Sequence, residues 1–231
     1  MIAITSFSKT GYDLYGKKFL ESFVKFWTCK VIVYYESLPD FVHEKVEYKN
    51  LFELRELTTF LTLIQDKPMC KGDLEGGHNY NFDIWKFCRK SFVQFDALKE
   101  HKGKVLWLDA DIETNKPVTE EWVDGLFDDA GLSYLGRDGF HCESGYVGFN
   151  TETAGFSDFL KKYEDCYRRG IIFTLDRWHD CKALDWAIAF NKVKVKNLSP
   201  FWKKGDDLHV WEKTVLQEYM IHNKGARKYG R

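Results

Sequence analysis

Apolar residues along the chain alternate between short continuous runs and stretches with a spacing of three and four. Ile2-Ala3-Ile4 predicts a first buried strand, and Val31 to Tyr35 predicts a second. Between them, from Tyr12 to Trp27, the apolar positions recur at helical spacing and predict a helix. Strand, helix and strand within about 35 residues are typical of a parallel α/β unit.

The same two patterns continue through the rest of the chain. They predict helices over 52–64, 82–98, 153–169 and 181–190, and a helix beginning at Thr119. They predict strands over 105–108, 132–136 and 193–198, and within 141–150 a polar turn that enters an alternating strand. Thr153 and Gly170 suit the two ends of their helix. Residues 67–81, with one proline and three glycines, predict a loop that either covers a site or is a plain surface insertion. The pattern as a whole predicts an α/β fold with a mostly parallel sheet.

Two carboxylates follow the most apolar of these strands. Val105 to Leu108 runs directly into Asp109-Ala110-Asp111. On an extended backbone Asp109 and Asp111 leave the same face, where they repel each other unless a cation lies between them. Ligands bind beyond the carboxyl ends of strands in such sheets, and oxygen ligands suit Mg²⁺ or Mn²⁺. The position predicts a metal site, although a D-x-D pair alone also arises by chance.

Other polar residues stand where the same site would be lined. Thr5-Ser6-Phe7 and Glu36 follow the first two strands, so they either line the site or are ordinary loop residues. Lys86 and Lys90 share one face of the helix that precedes the carboxylates. That face is either a solvated basic stripe or a pair of cations that reach phosphates.

The second half of the chain adds further candidates. Gly145 and Gly148 allow close approach of a ligand or of a neighbouring segment, and close strand packing would also explain them. Asp180 stands before a helix and is either a functional carboxylate or its N-cap. Asp185 is either functional or part of a solvated helix face. The tail, 219–231, is either a frayed basic terminus or a lid that delivers an imidazole to a metal and a lysine to a diphosphate.

Composition narrows the classes of function. The net charge of −1 gives no support for binding nucleic acid through charge alone. No apolar run approaches the ~18 residues of a membrane helix, and the immediate first strand predicts no signal peptide. Six cysteines without C-x-x-C spacing favour reduced thiols over disulfides or a zinc site. We therefore expect a cytoplasmic protein, and the sequence leaves its oligomeric state open.

Together these features resemble the GT-A class of glycosyltransferases over essentially the whole chain. The D-x-D lies within V-L-W-L-D-A-D-I, and residues 222–228 fit H-x-x-G-x-x-K, the tail motif of the glycogenin and lipopolysaccharide galactosyltransferase branch. A basic helix precedes the D-x-D, and a glycine-bearing strand and an Asp-led helix follow it. The chain differs from that branch in carrying Tyr229-Gly230 in place of Pro-Trp, and Asp180-Cys181 in place of an Asp-Gln-Asp motif.

The resemblance implies a single Rossmann-like GT-A domain, with a nucleotide-binding half at about 1–112, an acceptor-binding half at about 113–215 and a metal and diphosphate tail at about 216–231. It implies that Asp109, Asp111 and His222 hold Mn²⁺ (or Mg²⁺). It implies that a nucleoside diphosphate sugar is bound by residues of the first strands, the basic helix and the tail: Thr5, Ser6, Phe7, Glu36, Lys86, Lys90, Ala110, Lys224, Gly225 and Lys228. The donor sugar and the acceptor would meet at Glu143, Ser144, Gly145 and Asp180.

The expected reaction is transfer of a hexosyl or pentosyl group to an acceptor hydroxyl of a glycan, glycolipid, protein or small molecule, with a modified nucleobase as a less supported acceptor. An inverting enzyme would need a general base, for which Asp180, Asp185 and Glu143 are candidates, whereas a retaining one can proceed without a protein base. One alternative is a sugar-1-phosphate nucleotidyltransferase or another metal-dependent phosphate-handling enzyme. The residues after the first strand lack the Gly-rich basic loop of such nucleotidyltransferases. A second alternative is a non-catalytic module that binds nucleotide sugars.

Overall fold

The computed structural model describes residues 1–225, which are built around a central sheet. Its strands are β1 (Ile2–Phe7), β2 (Val31–Tyr35), β3 (Val46–Asn50), β4 (Asp73–Leu74), β5 (Gly77–His78), β6 (Lys104–Leu108), β7 (Ile112–Thr114), β8 (Leu132–Leu135), β9 (Glu143–Asn150), β10 (Val195–Asn197) and β11 (Met220–His222). Its longer helices are α1 (Lys17–Phe26), α2 (Arg55–Ile64), α3 (Ile84–Glu100), α4 (Glu120–Gly125), α5 (Phe156–Arg168) and α6 (Asp180–Ala189).

Seven strands form the central sheet in the order β10-β8-β9-β6-β1-β2-β3. The strands β6, β1, β2 and β3 run parallel to one another, and β10 runs parallel to β8. Only β9 is antiparallel to its neighbours in this sheet, β6 and β8. The predicted mixed, mostly parallel sheet flanked by helices is confirmed. Because β1, β2 and β6 are parallel, their carboxyl ends meet at one edge.

Strand β6 is apolar because both faces of the sheet are covered. Val105 and Trp107 pack into one core, beneath the helices α2, α3, α5 and α6. Leu106 and Leu108 alternate with them and pack into the opposite core, beside α1 and α4. The strand therefore fixes the position of the residue that follows it, Asp109, from both sides.

Helix α3 spans Ile84–Glu100 rather than 82–98, and the carboxylate of Asp83 caps it by accepting a hydrogen bond from the amide of Lys86. Two predicted helix ends are confirmed. Helix α4 begins after Thr119, which caps it. Gly170 follows the end of α5 at a φ of 67°, in the left-handed region that glycine favours.

Other predicted boundaries are wrong. Helix α5 begins at Phe156 and not at Thr153, since the chain makes a turn first and enters the helix through Gly155 at a φ of 81°. Residues 12–16 form a turn of π-helix before α1. A 3₁₀ turn at Leu51–Glu53 precedes α2, which begins at Arg55. The predicted loop 67–81 contains a 3₁₀ turn, Pro68–Lys71, and the short hairpin of β4 and β5.

Besides the hairpin of β4 and β5, the pattern of the sequence did not predict β3, β7 and β11. Strand β3 has few apolar residues because it lies at the edge of the sheet. Strands β7 and β11 form a separate antiparallel pair in which His222 stands opposite Ile112. This pair joins the tail to the residues directly after the D-x-D. None of the helices in residues 1–225 has the length and apolar character needed to cross a bilayer.

Candidate active site

Asp109 and Asp111 lie at the carboxyl end of β6, as predicted. The amide of Asp109 donates to the carbonyl of Gly145 at 2.8 Å, and the amide of Ile112 donates to the carbonyl of Asp109 at 3.0 Å. The first bond continues the pairing with β9, and the second closes a turn. Asp111 is 5% exposed, whereas the side chain of Asp109 is 31% exposed. The turn thus holds one carboxylate inside the protein and the other at an opening.

The tail places His222 beside these carboxylates. Strand β11 pairs with β7, and the amide of Asn223 then donates to the carbonyl of Asp111 at 2.9 Å. The Nε2 atom of His222 lies 3.2 Å from Oδ1 of Asp111 and 3.9 Å from Oδ2 of Asp109. The ring of Trp211, 5.1 Å away between centroids, covers the imidazole, which is buried. The residues 220–225 are therefore an ordered part of the site rather than a frayed terminus.

Gly145 makes room for this imidazole. A Cβ atom at position 145 would lie 2.6 Å from Cε1 of His222, which is closer than packed atoms approach. The neighbouring segment that needs the glycine is thus the tail. At Gly148 a Cβ would lie 2.6 Å from each of Phe127, Ser133 and Tyr146, so close packing around β9 explains that glycine.

Glu143 completes the acidic wall of the site. Asp109, Glu143 and His222 each place one ligand atom within 4.8 Å of the others. The carboxylate of Glu143 is 3% exposed and pairs with Nζ of Lys224 at 2.5 Å. Burial, the largest influence, raises the pKa of Glu143, but the charge and hydrogen bond of Lys224 together with His222 outweigh it, so the pKa is lowered. Glu143 is therefore ionised.

Lys90 lies on the other side of Asp109. Its Nζ is 2.7 Å from Oδ1 of Asp109, 3.2 Å from Oδ2 of Asp180 and 2.6 Å from the carbonyl of Ser144. Burial favours the neutral amine, but Asp109 and Asp180 outweigh it, so the pKa of Lys90 is raised. Lys90 is thus a buried cation that joins α3 to both carboxylates, and not part of a solvated stripe.

Asp180 and Asp185 have distinct surroundings. Asp180 is the first residue of α6, with His179 before it, so its interpretation as the N-cap is wrong. Its carboxylate accepts from the hydroxyl of Ser144, and burial, followed by the Cys181 thiolate, raises its pKa. Asp185 accepts from the amide of Cys142 at 3.0 Å, and burial raises its pKa too. Asp185 therefore holds the start of β9 and does not lie on a solvated face.

The side chains at the end of β6 fit a divalent metal. Carboxylates with one imidazole are ligands that Mn²⁺ accepts, and carboxylates also suit Mg²⁺. The imidazole of His222 is 3% exposed and faces two carboxylates, yet neither ring nitrogen makes a hydrogen bond within residues 1–225. Asp109, Asp111 and His222, with Glu143 adjacent, could therefore hold such an ion.

The other predicted donor residues are dispersed. Thr5 is buried in β1, and Phe7 packs in the core against Tyr12. Glu36 lies at the same edge of the sheet and forms an ion pair with Arg89. The structure does not bring Lys86 to the carboxylates, because its side chain is exposed one turn before Lys90.

Of the remaining predicted positions, Ser6 is half-buried at the end of β1, and Ala110 is buried between the two aspartates. Gly225 has a φ of 65° and lies at the end of the described chain. Lys228 lies outside the described residues.

Sequence reasoning missed Trp107 and three ligand-type side chains. The indole of Trp107 donates to Oδ1 of Asp109 at 2.7 Å, and the signal was present, since residues i and i+2 of a strand share a face. The others, His141, His179 and Cys181, come from separate segments and form no motif in the sequence.

No protein-family model matches the sequence, and no curated protein matches it. Among solved structures, the apo structure of the bifunctional glycosyltransferase WbbM is similar at a TM-score of 0.59 and 10% identity, over 97% of this chain and 46% of that one. The fold is that of the GT-A glycosyltransferases. The chain thus spans less than half the length of WbbM.

Two further glycosyltransferases are similar with lower scores. The galactosyltransferase LgtC, in complex with donor and acceptor sugar analogs, has a TM-score of 0.45 at 13% identity over 86% of this chain and 73% of that one. The apo form of mouse xyloside xylosyltransferase 1 has a TM-score of 0.44 at 11% identity over 82% of each chain.

Proposed function

We propose that the chain is a metal-dependent glycosyltransferase that moves a sugar from a nucleoside diphosphate sugar to an acceptor hydroxyl. The observation that carries the proposal is the convergence of Asp109, Asp111, Glu143 and His222 at the carboxyl end of β6 in a GT-A fold. A parallel sheet binds ligands at this edge. A purely structural cluster of three carboxylates here would cost free energy through their mutual repulsion.

Asp109, Asp111 and His222 would hold Mn²⁺ or Mg²⁺. When bound, the metal would neutralise negative charge that develops on the diphosphate leaving group. Lys224 would add a fixed positive charge at the same place, because its Nζ already lies at the rim, paired with Glu143. Lys228 would do the same, and Gly225 would let the tail turn towards the diphosphate.

The nucleotide would lie along the carboxyl ends of β1 and β2. Ser6 and Glu36 are at that edge, and Thr5 and Phe7 would shape it from within the sheet. Ala110 lies between the two metal carboxylates and would face the donor through its backbone. Lys86 remains a predicted donor contact that would have to act from the solvent face of α3. In this proposal the donor is bound mainly by residues before 112.

The acceptor would approach past Ser144 and Asp180. Asp180 is the strongest candidate for a general base, because it faces Lys90 and Ser144 beside Asp109 and its pKa is raised towards neutrality. In an inverting reaction it would take the proton of the acceptor hydroxyl as the oxygen attacks the sugar. The pKa of Glu143 is lowered, which makes it a weaker base, and Asp185 accepts from the amide of Cys142 at the start of β9.

A retaining reaction would leave Asp180 without this role. The anomeric configuration of the product, measured by proton NMR, distinguishes the two outcomes. The proposal also includes a cytoplasmic location and the transfer of a hexosyl or pentosyl group. The acceptor would be a glycan, a glycolipid, a protein or a small molecule.

The test is a thermal-shift screen of nucleoside diphosphate sugars with and without Mn²⁺, followed by assays of nucleoside diphosphate release. A ligand that binds only the native state raises the unfolding temperature. We expect at least one donor to stabilise the protein in the presence of Mn²⁺, and Asp109→Asn to abolish both stabilisation and release. Asp66→Asn, an exposed carboxylate in another part of the chain, is the matched control.

Two outcomes would contradict the proposal. If no donor raises the unfolding temperature, with or without metal, the chain does not bind these donors and the proposal is wrong. Metal-dependent binding without release, across all acceptors, would identify a non-catalytic module that binds nucleotide sugars.

A further inference from the structure

A second group of ligand-type side chains lies beside the acceptor side of the cleft. His141, His179 and Cys181 each place one ligand atom within 4.8 Å of the others. His141 stands before β9, and His179 and Cys181 flank the first residue of α6. The hydroxyl of Ser144 is 3.1 Å from the sulfur of Cys181. This group is chemically unlike the oxygen-rich group at Asp109.

We propose that His141, His179 and Cys181 bind a divalent cation of the Zn²⁺ class, at a site separate from Asp109 and Asp111. Imidazole nitrogen and thiolate sulfur are the ligands that Zn²⁺ prefers, whereas Mg²⁺ and Mn²⁺ prefer oxygen. Three protein ligands leave the fourth tetrahedral position for water. The inference does not depend on the chain being a glycosyltransferase.

His179 supplies the strongest local argument. Its side chain is 4% exposed, and within residues 1–225 its Nδ1 atom has no hydrogen-bond partner. A buried polar atom without a partner costs free energy, so such atoms are rare and usually have a reason. The ring is 4.6 Å from that of His141 between centroids, in an edge-to-face arrangement. A metal ion between these side chains would satisfy the nitrogen.

The ring of His141 is held in place by its own neighbours. Nη2 of Arg137 lies 2.7 Å from Nδ1 of His141 and donates to the carbonyl of Cys142 at 2.9 Å. That carbonyl is 3.1 Å from the same Nδ1. Because a guanidinium can only donate, Nδ1 accepts from Arg137 and the neutral ring carries its proton on Nε2. Metal binding at Nε2 would move that proton to Nδ1, where the carbonyl of Cys142 can accept it in place of the bond from Arg137. Such outer contacts commonly fix the tautomer of a metal-binding histidine.

Cys181 adds the sulfur ligand. Its sulfur is 3.1 Å from the hydroxyl of Ser144, which can donate to a thiolate, and the residue is half-buried. The thiolate is the form of cysteine that binds a metal.

The metal would connect the segment before β9 to the beginning of α6. Ser144 lies in β9, three residues after His141, and Asp180 is the first residue of α6; these two side chains already bond to each other and to Lys90. The ion would therefore hold in place the two side chains that we assign to the acceptor side. Its expected contribution is structural.

The test is a titration of the metal-free protein with Co²⁺, which replaces Zn²⁺ and absorbs strongly in the near ultraviolet when a thiolate is bound. We expect one equivalent of Co²⁺ to develop this band and one equivalent of Zn²⁺, but not Mn²⁺, to remove it. Cys181→Ser should lose the band and His179→Gln should weaken Co²⁺ binding at least tenfold. Cys29→Ser, another half-buried thiol, and Asp109→Asn should keep it.

Absence of the band in the natural protein would overturn the proposal. So would a band that survives Cys181→Ser or that disappears in Asp109→Asn. If Cys181→Ser does not fold by circular dichroism, His141→Gln replaces it, since this half-buried side chain lies in a loop. Unchanged Co²⁺ affinity in a folded His141→Gln protein would also overturn the assignment.

Discussion

The Nε2 atom of His222 lies 3.2 Å from Oδ1 of Asp111, although the two residues belong to opposite halves of the chain. The contact is made by the pairing of β7 with β11, which begins one residue after Asp111 and ends at His222. The D-x-D turn and the tail are therefore one structural unit. Any change that separates the two strands must also separate the imidazole from the carboxylates.

Replacing His222 by alanine should weaken Mn²⁺ binding by about 100-fold or more. Substitution of outer-shell partners already costs ~10–100-fold in metal affinity, and we assign His222 as a direct ligand. Isothermal titration of Mn²⁺ in the presence of a nucleoside diphosphate measures the loss.

Truncation separates the role of His222 from that of Lys228. A chain ending at Ile221 should lose Mn²⁺ binding as the alanine variant does. A chain ending at Gly225 should keep the metal and lose only part of the affinity for the diphosphate. Equal Mn²⁺ affinity in the full-length chain and in both truncated chains would show that the tail does not bind the ion.

Gly145→Ala should displace the imidazole of His222 without replacing any of the proposed metal ligands. Its new methyl group would meet Cε1 of His222 at 2.6 Å, so either the ring or the strand must move. We expect a loss of about 1–3 kcal/mol in the free energy of unfolding, as is typical of overpacking, together with weaker Mn²⁺ binding.

Gly76→Ala is the matched control for this substitution. A Cβ at Gly76 meets no atom within 4 Å, and the residue is exposed. Chemical denaturation and Mn²⁺ titration of both variants check the prediction. Equal free energies of unfolding and equal Mn²⁺ affinities in the two variants would show that the tail moves aside without cost, which would contradict the prediction.

Lys90→Met should lower the free energy of unfolding by about 3 kcal/mol. The substitution keeps the apolar stem but removes the charge that Asp109 and Asp180 share, and breaking a buried pair leaves uncompensated carboxylates. Lys86→Met lies one turn earlier on the same helix with its side chain exposed, and it should change stability by less than about 0.5 kcal/mol. Urea unfolding measures both, and a similar loss in the two variants would contradict the assigned role of Lys90.

The sequence predicted the sheet and the D-x-D position because local patterns determine them. The apolar run Val105 to Leu108 is a strand buried on both faces, so the strand and its carboxyl end can be predicted from neighbouring residues alone. Thr119 was likewise identified as a helix cap from its own neighbours. The sequence did not predict strand β3, because a strand at the edge of the sheet is only partly buried and its sequence mixes polar and apolar residues.

The rest of the site depends on contacts between segments far apart in the chain. Asp180 looks like a helix cap in the sequence, yet Ser144 and Lys90 draw its carboxylate into the protein. The pairing of β7 with β11 is set by three residues on each side, which is too short a pattern to recognise. The His141, His179 and Cys181 cluster has no fixed spacing, so only the fold brings it together.

Alkylation with iodoacetamide should modify Cys181 before Cys29 at pH 7. Both thiols are half-buried, but burial raises the pKa of Cys29 to about 11, whereas the pKa of Cys181 is lowered. A pKa of about 11 leaves roughly one Cys29 thiolate in ten thousand at neutral pH. Because the pKa of Cys181 is lowered well below its ordinary value, its alkylation rate should rise less steeply from pH 7 to pH 9 than that of Cys29. Peptide mass spectrometry after short exposure gives both rates.

One equivalent of Zn²⁺ should slow the reaction at Cys181 and leave the rate at Cys29 unchanged. Faster labelling of Cys29 than of Cys181 at neutral pH would contradict the lowered pKa of Cys181.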